Sequence, residues 1–257
     1  MEGVIEMKLT SDIIGDYRKK GHILINKMLP KEEVLNIRQL IRDEVYLTTR
    51  NLAEDQYSKT FLFDMNLWER NKAIKKFIFN RKLAEVAADL MGVKRVRILN
   101  DAAYFKKPNN LQTKWHFDLD FYPLNTSNVV TAWIPLINLP AEIGSMNFIT
   151  KSHQIKYGDR SIKQIMKEVI LNRYEEENYG SLNIGDITFH SGLTLHSAAS
   201  NKTSTTREVI TITYFEDESY ITEPGDHETK NYYLNRFFPG LNPGDKAETY
   251  LNPILNH

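Results

Sequence analysis

The sequence contains no cysteine among its 257 residues. This absence excludes disulfide frameworks, thiolate zinc sites, thiolate-bound iron–sulfur clusters and cysteine nucleophiles, and it fits a reducing compartment. Any metal that this protein binds must therefore be held by nitrogen and oxygen atoms.

The sequence also lacks an excess of charge of either sign, because Lys+Arg and Asp+Glu both number 33. A chain without a basic field is poorly suited to neutralise phosphates or to attract anionic lipid. The first residues lack the basic and apolar regions of a secretory signal, and no stretch approaches the roughly 20 apolar residues of a transmembrane helix. We therefore expect a cytoplasmic protein with no nucleic-acid or membrane partner.

The hydrophobic period changes once along the chain. Residues 1–92 follow a mostly helical pattern, in which Pro30 opens one helix and Gly92 lies just past the end of another. From residue 96 onward the period becomes two, in short runs rich in β-branched and aromatic residues. The predicted strands are 96–105, 129–137, 144–149, 187–190 and 208–215.

Helices followed by antiparallel strands, with no alternation of strand and helix, predict an α+β fold with a mainly β core, a barrel or a jelly roll. We expect one domain over 1–257, in which residues 1–92 are helical support and 93–220 form the core. Residues 151–180 are polar, with a helical middle at 162–171, and are expected to form an inserted flap. Repeated Pro and Gly predict an extended tail over 221–257.

A metal-ligand pattern occurs at His116-Phe117-Asp118. On a strand, residues i and i+2 point to the same face, so that this imidazole and carboxylate can bind one metal ion. Composition alone supplies about one His-x-acid triplet in a chain with 7 His and 33 acidic residues. The triplet therefore needs support from elsewhere in the sequence.

That support comes from His196 and Arg207, about eighty residues further along. Two histidines and one carboxylate are the ligands of non-haem Fe(II) sites, which leave coordination positions open for a cosubstrate and dioxygen. Arg207 opens the next predicted strand, where a guanidinium can hold a carboxylate through two parallel hydrogen bonds.

These residues resemble the phytanoyl-CoA dioxygenase family of Fe(II)- and 2-oxoglutarate-dependent oxygenases. The matching segments follow the family's order and spacing, and they read WHFD, TAWIPL, AEIGSMNFITKSH, GDITFHSGLTLHSAASN and PGLNPGD. The resemblance implies a double-stranded β-helix, a cupin-like jelly roll with helices packed outside. This architecture agrees with the strand pattern.

The resemblance also implies the roles of individual residues. His116, Asp118 and His196 would bind Fe(II) as the catalytic centre, and Arg207 would pair with the distal carboxylate of 2-oxoglutarate. Trp133 matches a family tryptophan beside that cosubstrate, although a tryptophan in a sheet is as often a core residue. O2 would be the second cosubstrate. Because Asp118 is present, where related halogenases have a small residue, hydroxylation is favoured over halogenation.

Further candidates lie on the neighbouring strands. The strand 96–105 alternates, and aligning Lys107-Pro108 with the family's Lys-Pro predicts that Asp101 and Phe105 face inward, where they could contact the substrate. A solvated strand end is the other interpretation of Asp101. His190 is expected to be a core histidine or a neighbour of the ligands rather than a fourth ligand.

The sequence therefore predicts a dioxygenase that hydroxylates a C–H bond of a small metabolite or natural-product intermediate, with release of succinate and CO2. Desaturation, epoxidation or cyclisation on the same scaffold stays open. A non-catalytic jelly-roll binding module is the remaining alternative. Neither the identity of the substrate nor the oligomeric state follows from the sequence.

Overall fold

A computed structural model describes residues 9–50, 60–158 and 160–256. The described residues form two antiparallel sheets and six α-helices. The strands are β1 (His22–Ile25), β2 (Phe61–Met65), β3 (Val96–Lys106), β4 (Thr113–His116), β5 (Val129–Pro135), β6 (Met146–Ile149), β7 (Glu176–Asn178), β8 (Ile187–Ser191), β9 (His196–Ala198) and β10 (Arg207–Glu216). The helices are α1 (Ser11–Lys20), α2 (Lys31–Thr49), α3 (Lys72–Ile78), α4 (Arg81–Met91), α5 (Ile162–Leu171) and α6 (Glu228–Phe237).

The two sheets are the halves of a double-stranded β-helix. One sheet has six strands in the order β1-β8-β5-β10-β3-β2, and the other has four in the order β4-β9-β6-β7. Neighbouring strands come from distant parts of the chain, so residues far apart in sequence meet on one face. The predicted jelly-roll core of an α+β fold is confirmed.

The N-terminal helices α1 to α4 cover the outer face of the six-stranded sheet, as predicted. In α4 the apolar residues Leu83, Val86 and Leu90 recur at helical spacing and are buried against that sheet. The side chain of Asn80 caps the start of α4, and Gly92 ends it at a φ of 74°, a conformation that glycine adopts without a Cβ clash. None of the helices in the described ranges combines the length and hydropathy needed to cross a membrane.

Two segments differ from the sequence-based expectation. The N-terminal part contributes β1 and β2 to the edges of the six-stranded sheet, in addition to its helices. The tail, predicted to be extended, contains α6. Thirteen residues without Pro or Gly lie between Pro224-Gly225 and Pro239-Gly240. The helix α6 forms within them and buries Phe237 in a second apolar cluster. The predicted helix at 162–171 is present as α5, with a capping box at its start.

Candidate metal centre

The structure brings together the three residues that the sequence predicted as metal ligands. His116 ends β4 and His196 begins β9, and the two residues pair directly across the four-stranded sheet. Asp118 opens the 3-10 turn Asp118–Phe121, immediately after β4. One ligand atom from each residue can be chosen so that all three lie within 4.8 Å of one another.

Both histidines present the same ring nitrogen to the centre. Nδ1 of His116 lies 2.8 Å from the carbonyl oxygen of Lys114, and Nδ1 of His196 lies 2.9 Å from that of Thr194. Because a carbonyl oxygen can only accept, each Nδ1 carries the proton and donates it. Each Nε2 is therefore left with a lone pair for a metal ion. Backbone carbonyls commonly orient metal-binding histidines in this way.

The carboxylate of Asp118 has one oxygen toward the histidines and one toward the six-stranded sheet. Oδ1 lies 3.4 Å from Nε2 of His196 and 3.8 Å from Nε2 of His116. Oδ2 accepts a hydrogen bond from the Thr131 hydroxyl at 2.9 Å and lies 3.3 Å from Nε2 of His190. His190 is thus a neighbour of the carboxylate, as the sequence predicted.

The electrostatics keep Asp118 and His196 in forms that can coordinate a metal ion. Burial and the neighbouring His116 hold the pKa of His196 well below its usual range. Burial alone would raise the pKa of Asp118, but the surrounding histidines, His196 foremost, outweigh it and hold that pKa well below the usual range. A neutral imidazole and an ionised carboxylate are the forms that coordinate a metal.

Arg207 lies on the inner face of β10 and is 3% exposed. Its Nη1 donates to the carbonyl oxygen of Gly144 at 2.6 Å, and its guanidinium carbon lies 5.6 Å from the centre of the Trp133 ring. Its Nε is buried without a hydrogen-bond partner, and no carboxylate of the described residues forms an ion pair with it. Burial lowers its pKa to about 10, so it stays charged at neutral pH. A buried, unpaired guanidinium fits an anionic ligand.

Gly144 is needed where it is because its backbone passes close to another strand. Its φ is 92°, and a Cβ at this position would lie 2.4 Å from the carbonyl oxygen of Ala199. A larger residue would displace the carbonyl that accepts from Arg207.

Lys106 is a second buried cation that the sequence analysis missed. It pairs with Arg207 across β3 and β10, and its Nζ donates to the carbonyl oxygens of Leu111, Ala198 and Ala199, each at 3.3 Å. Burial, together with the charge of Arg207, lowers its pKa to about 7. The predicted strand ended at residue 105, whereas β3 continues to Lys106 and thereby places it opposite Arg207.

The two sheets enclose a cavity of about 670 Å³, which Arg207, Trp133 and the three candidate ligands line. On the six-stranded sheet, four polar residues line the cavity at paired positions of four neighbouring strands. They are His190, Thr131, Thr213 and Asn100. These polar residues interrupt otherwise apolar strands, a signal that could have identified the inner face from sequence.

Asp101 and Phe105 face the opposite way, so their predicted place beside the substrate is wrong. Asp101 is fully buried and accepts hydrogen bonds from the backbone N–H groups of Leu67 and Trp68. Phe105 belongs to the core under the helices, with its ring 6.3 Å from that of Tyr46. The helical layer covers this face of β3, and the alternate residues, including Asn100, line the cavity.

Comparison with known proteins agrees with this geometry. The sequence model of the phytanoyl-CoA dioxygenase (PhyH) family matches residues 17–209. A probable alpha-ketoglutarate-dependent hypophosphite dioxygenase from Stutzerimonas stutzeri is 24% identical over 77% of this chain and 76% of its own length.

Solved structures are similar over nearly the whole chain. The non-heme alpha ketoglutarate dependent carbocyclase SnoK from nogalamycin biosynthesis has a TM-score of 0.81 at 22% identity, covering 96% of both chains. The epimerase SnoN, in complex with Fe3+, alpha ketoglutarate and nogalamycin RO, has a TM-score of 0.80 at 19% identity, covering 95% of this chain and 98% of its own. This likeness shows the shared fold.

The chain therefore belongs to the phytanoyl-CoA dioxygenase family, as the sequence motifs predicted. It is an iron- and 2-oxoglutarate-dependent oxygenase.

Proposed function

We propose that His116, Asp118 and His196 hold the iron ion and that Arg207, above the Trp133 ring, takes the distal carboxylate of 2-oxoglutarate. The observation that carries this assignment is the combination, in one cavity, of three convergent ligand atoms with a buried guanidinium that has no acidic partner in the described part of the chain. The donor set of two imidazoles and one carboxylate suits Fe(II) and leaves positions open.

We propose further that the reaction is hydroxylation of a C–H bond in a small organic molecule. When bound, iron with 2-oxoglutarate and O2 supplies the oxidising power, and succinate and CO2 are released. The protein's part is to position the reactants and to limit access of water. Arg207 provides positive charge in the cavity lining, and Lys106, its pairing partner on β3, adds positive charge from outside the lining. Thr131 and His190 fix the orientation of the Asp118 carboxylate.

Asp118 supports hydroxylation over halogenation, because its carboxylate lies beside both histidines and fills the third ligand position. Desaturation, epoxidation and cyclisation use the same protein ligands and differ in the product. Mass spectrometry under labelled dioxygen separates oxygen insertion from the other outcomes for any substrate. Hydroxylation and epoxidation of an alkene each add one labelled oxygen atom to the product, whereas desaturation and cyclisation add none.

The assignment of the ligands is tested without knowledge of the substrate. Wild-type protein with Fe(II) and 2-oxoglutarate under nitrogen should show a weak visible absorption band, and admission of air should bleach it while succinate forms slowly. The Asp118→Ala protein should lose both the band and the succinate. Asp120→Ala changes a carboxylate in the same turn that does not line the cavity, and should keep both. Undiminished succinate from Asp118→Ala, after chelation and re-addition of iron, would contradict the assignment.

A further inference from the structure

Three aromatic rings form a shelf at one edge of the six-stranded sheet. Phe61 and Phe63 alternate along β2, and Phe63 pairs with Tyr104 on β3. The ring centres are 6.5 Å apart for Phe61 and Phe63, 5.0 Å for Phe63 and Tyr104, and 6.1 Å for Phe61 and Tyr104. The corresponding planes differ by only 10°, 31° and 35°. The three rings of the shelf thus share nearly the same orientation.

All three rings of the shelf line the cavity that contains the metal centre. The wall around the metal ligands is also aromatic. Trp115, Phe121, Tyr122 and Tyr233 line it, and the Phe121 ring lies 5.9 Å from the ring of His116. A ligand resting on the shelf therefore remains between aromatic surfaces up to the candidate metal ligands.

The cavity offers little charge to a substrate. Tyrosines aside, few of the described residues that line it are ionisable. They are the three candidate metal ligands, His190, Arg207 and Lys114. Arg207 is assigned to the cosubstrate, and Lys114, on β4, is exposed. Asp118 is the single carboxylate among the described residues that line the cavity. The remaining polar groups are neutral amides and hydroxyls, such as Asn100 and Thr213.

The size and shape of this space exclude two other substrate types. A volume of about 670 Å³ is in the range of sites that hold drug-sized ligands, and a small anion would leave most of the aromatic wall uncovered. A quaternary ammonium group is recognised by rings that surround it at steep angles, whereas the planes of the shelf rings differ by at most 35°. A flat ring system can align its plane with rings of this common orientation, offset in the way that aromatic pairs prefer.

We propose that the substrate is a flat molecule with at least two fused aromatic rings and no positive charge, stacked on the Phe61, Phe63 and Tyr104 shelf with one edge toward the metal ligands. This inference rests on the proposed function, since it names the substrate class of the same site. It departs from the hypophosphite named for the Stutzerimonas stutzeri relative.

The test compares two probes that share one skeleton. 2-Naphthol has two fused aromatic rings, and decahydro-2-naphthol is its saturated counterpart. Each is titrated by calorimetry under nitrogen into protein loaded with Fe(II) and 2-oxoglutarate, with hypophosphite as the small-anion probe. We expect 2-naphthol to bind about fivefold more tightly than the saturated probe, because stacked rings gain about 0.5 to 1.5 kcal/mol beyond burial. Hypophosphite should show no saturable binding.

Phe63→Leu removes one shelf ring while keeping an apolar side chain at a position that is 37% exposed, so the fold should tolerate it. It should abolish the preference for 2-naphthol. Tyr250→Leu removes a 75% exposed aromatic residue outside the cavity lining and should preserve the preference.

Equal binding of the two naphthol probes, or saturable binding of hypophosphite, would overturn the inference. The visible band and the uncoupled succinate are measured on the same samples. If both are present while the aromatic preference is absent, the substrate class is wrong and the oxygenase assignment stands. If band and succinate are both absent, the proposed function fails, and the inference fails with it.

Discussion

Each oxygen of the Asp118 carboxylate has its own partners. Oδ1 faces the two candidate histidine ligands, whereas Oδ2 is held by Thr131 and His190. Because Oδ2 is held, the carboxylate cannot rotate freely, and Oδ1 stays directed at the position of the metal. Partners of this kind change metal affinity by about ten- to a hundredfold in other metalloproteins.

Thr131→Val keeps the shape of the side chain and removes its hydroxyl. We expect about tenfold weaker Fe(II) binding under nitrogen, because Asp118 loses its 2.9 Å hydrogen bond. A competitive chelator titration measures the affinity. Thr188→Val is the matched control, since Thr188 is a buried strand threonine whose hydroxyl has no partner among the described residues. Equal Fe(II) affinity of Thr131→Val and wild type would remove Thr131 from this role.

Asp101 is a buried acid whose task is structural. It accepts from two backbone N–H groups, yet burial raises its pKa to about 7. A folded-state pKa above the unfolded value means that the contribution to stability is complete below about pH 4 and is lost as pH rises through about 7. Wild-type protein should therefore lose part of its unfolding free energy, on the order of a few kcal/mol, over this pH window.

Asp101→Asn cannot ionise, so its unfolding free energy should vary less between pH 4 and pH 7 than that of the wild type. Urea unfolding at several pH values measures this difference. Succinate formation per folded molecule should be unchanged, because Asp101 lies on the helix side of β3. A loss of succinate formation with normal stability would return Asp101 to the active site.

The candidate ligands could be predicted from sequence because their residue types and spacing are specific, and the family motifs supported them. The orientation of β3 could not be predicted from the sequence. Alternation divides Asp101 and Asn100 between two faces, but only the position of the helices decides which face is covered. The role of Thr131 was equally hidden, since its partner Asp118 is reached only through the fold.

At the scale of elements, the pairing of β3 with β10 sets two buried cations side by side, since Lys106 lies opposite Arg207. Neither forms an ion pair with a carboxylate of the described residues. The unpartnered Nε of Arg207 can donate to an anionic ligand. Lys106 donates from Nζ to three carbonyl oxygens, so it acts on such a ligand only through its charge. Of these two cations, Lys106 is the one whose charge changes near neutral pH. Burial and Arg207 lower its pKa to about 7, whereas Arg207 stays charged to about pH 10.

The affinity for 2-oxoglutarate should therefore fall as pH rises from 6 to 8.5, by up to about tenfold, because Lys106 loses its charge through this range. Titration of the visible band under nitrogen at each pH measures the affinity. Lys106→Met should bind 2-oxoglutarate more weakly and show a flatter pH profile. Lys107→Met, at the adjacent position, should keep the wild-type profile. A flat profile in the wild type would contradict this prediction without reference to any variant.

The predictability of the elements depended on where their stabilising contacts come from. The strands β3, β5, β8 and β10 were predicted to within two residues, because buried strands carry continuous β-branched and aromatic runs. The edge strands β1 and β2 are short and depend on partners far along the chain, so local pattern gave no signal. In the tail, the Pro and Gly residues that flank α6 obscured the helix between them.

For the whole molecule, the sheet topology concentrates unpaired charge and lone pairs in one cavity, while the described core around it is apolar. The jelly roll could be predicted because the order of helices and strands, and motifs spread over the chain, agreed. Which face of each strand lines the cavity, and how large the cavity is, could be learned only from the three-dimensional arrangement.

A cavity with unpaired charge and lone pairs should make the protein more stable when ligands neutralise it, because anything that binds only the folded state shifts unfolding to higher temperature.

Thermal unfolding under nitrogen measures that gain. A ligand at about a hundred times its Kd stabilises by about 2.7 kcal/mol, which corresponds to a Tm rise of roughly 5 to 10 °C for a chain of this size. Fe(II) and 2-oxoglutarate together should raise the Tm by more than Fe(II) alone, since in the proposed binding mode 2-oxoglutarate contacts both the metal and Arg207. In Arg207→Met, compared with its own ligand-free Tm, the rise from Fe(II) should persist and the further rise from 2-oxoglutarate should shrink by more than half.

The control is Arg81→Met, a change at an exposed helix arginine, which should keep both rises. An undiminished 2-oxoglutarate increment in Arg207→Met would show that the guanidinium does not bind the cosubstrate, and the cavity's unpaired cation would then need a different ligand.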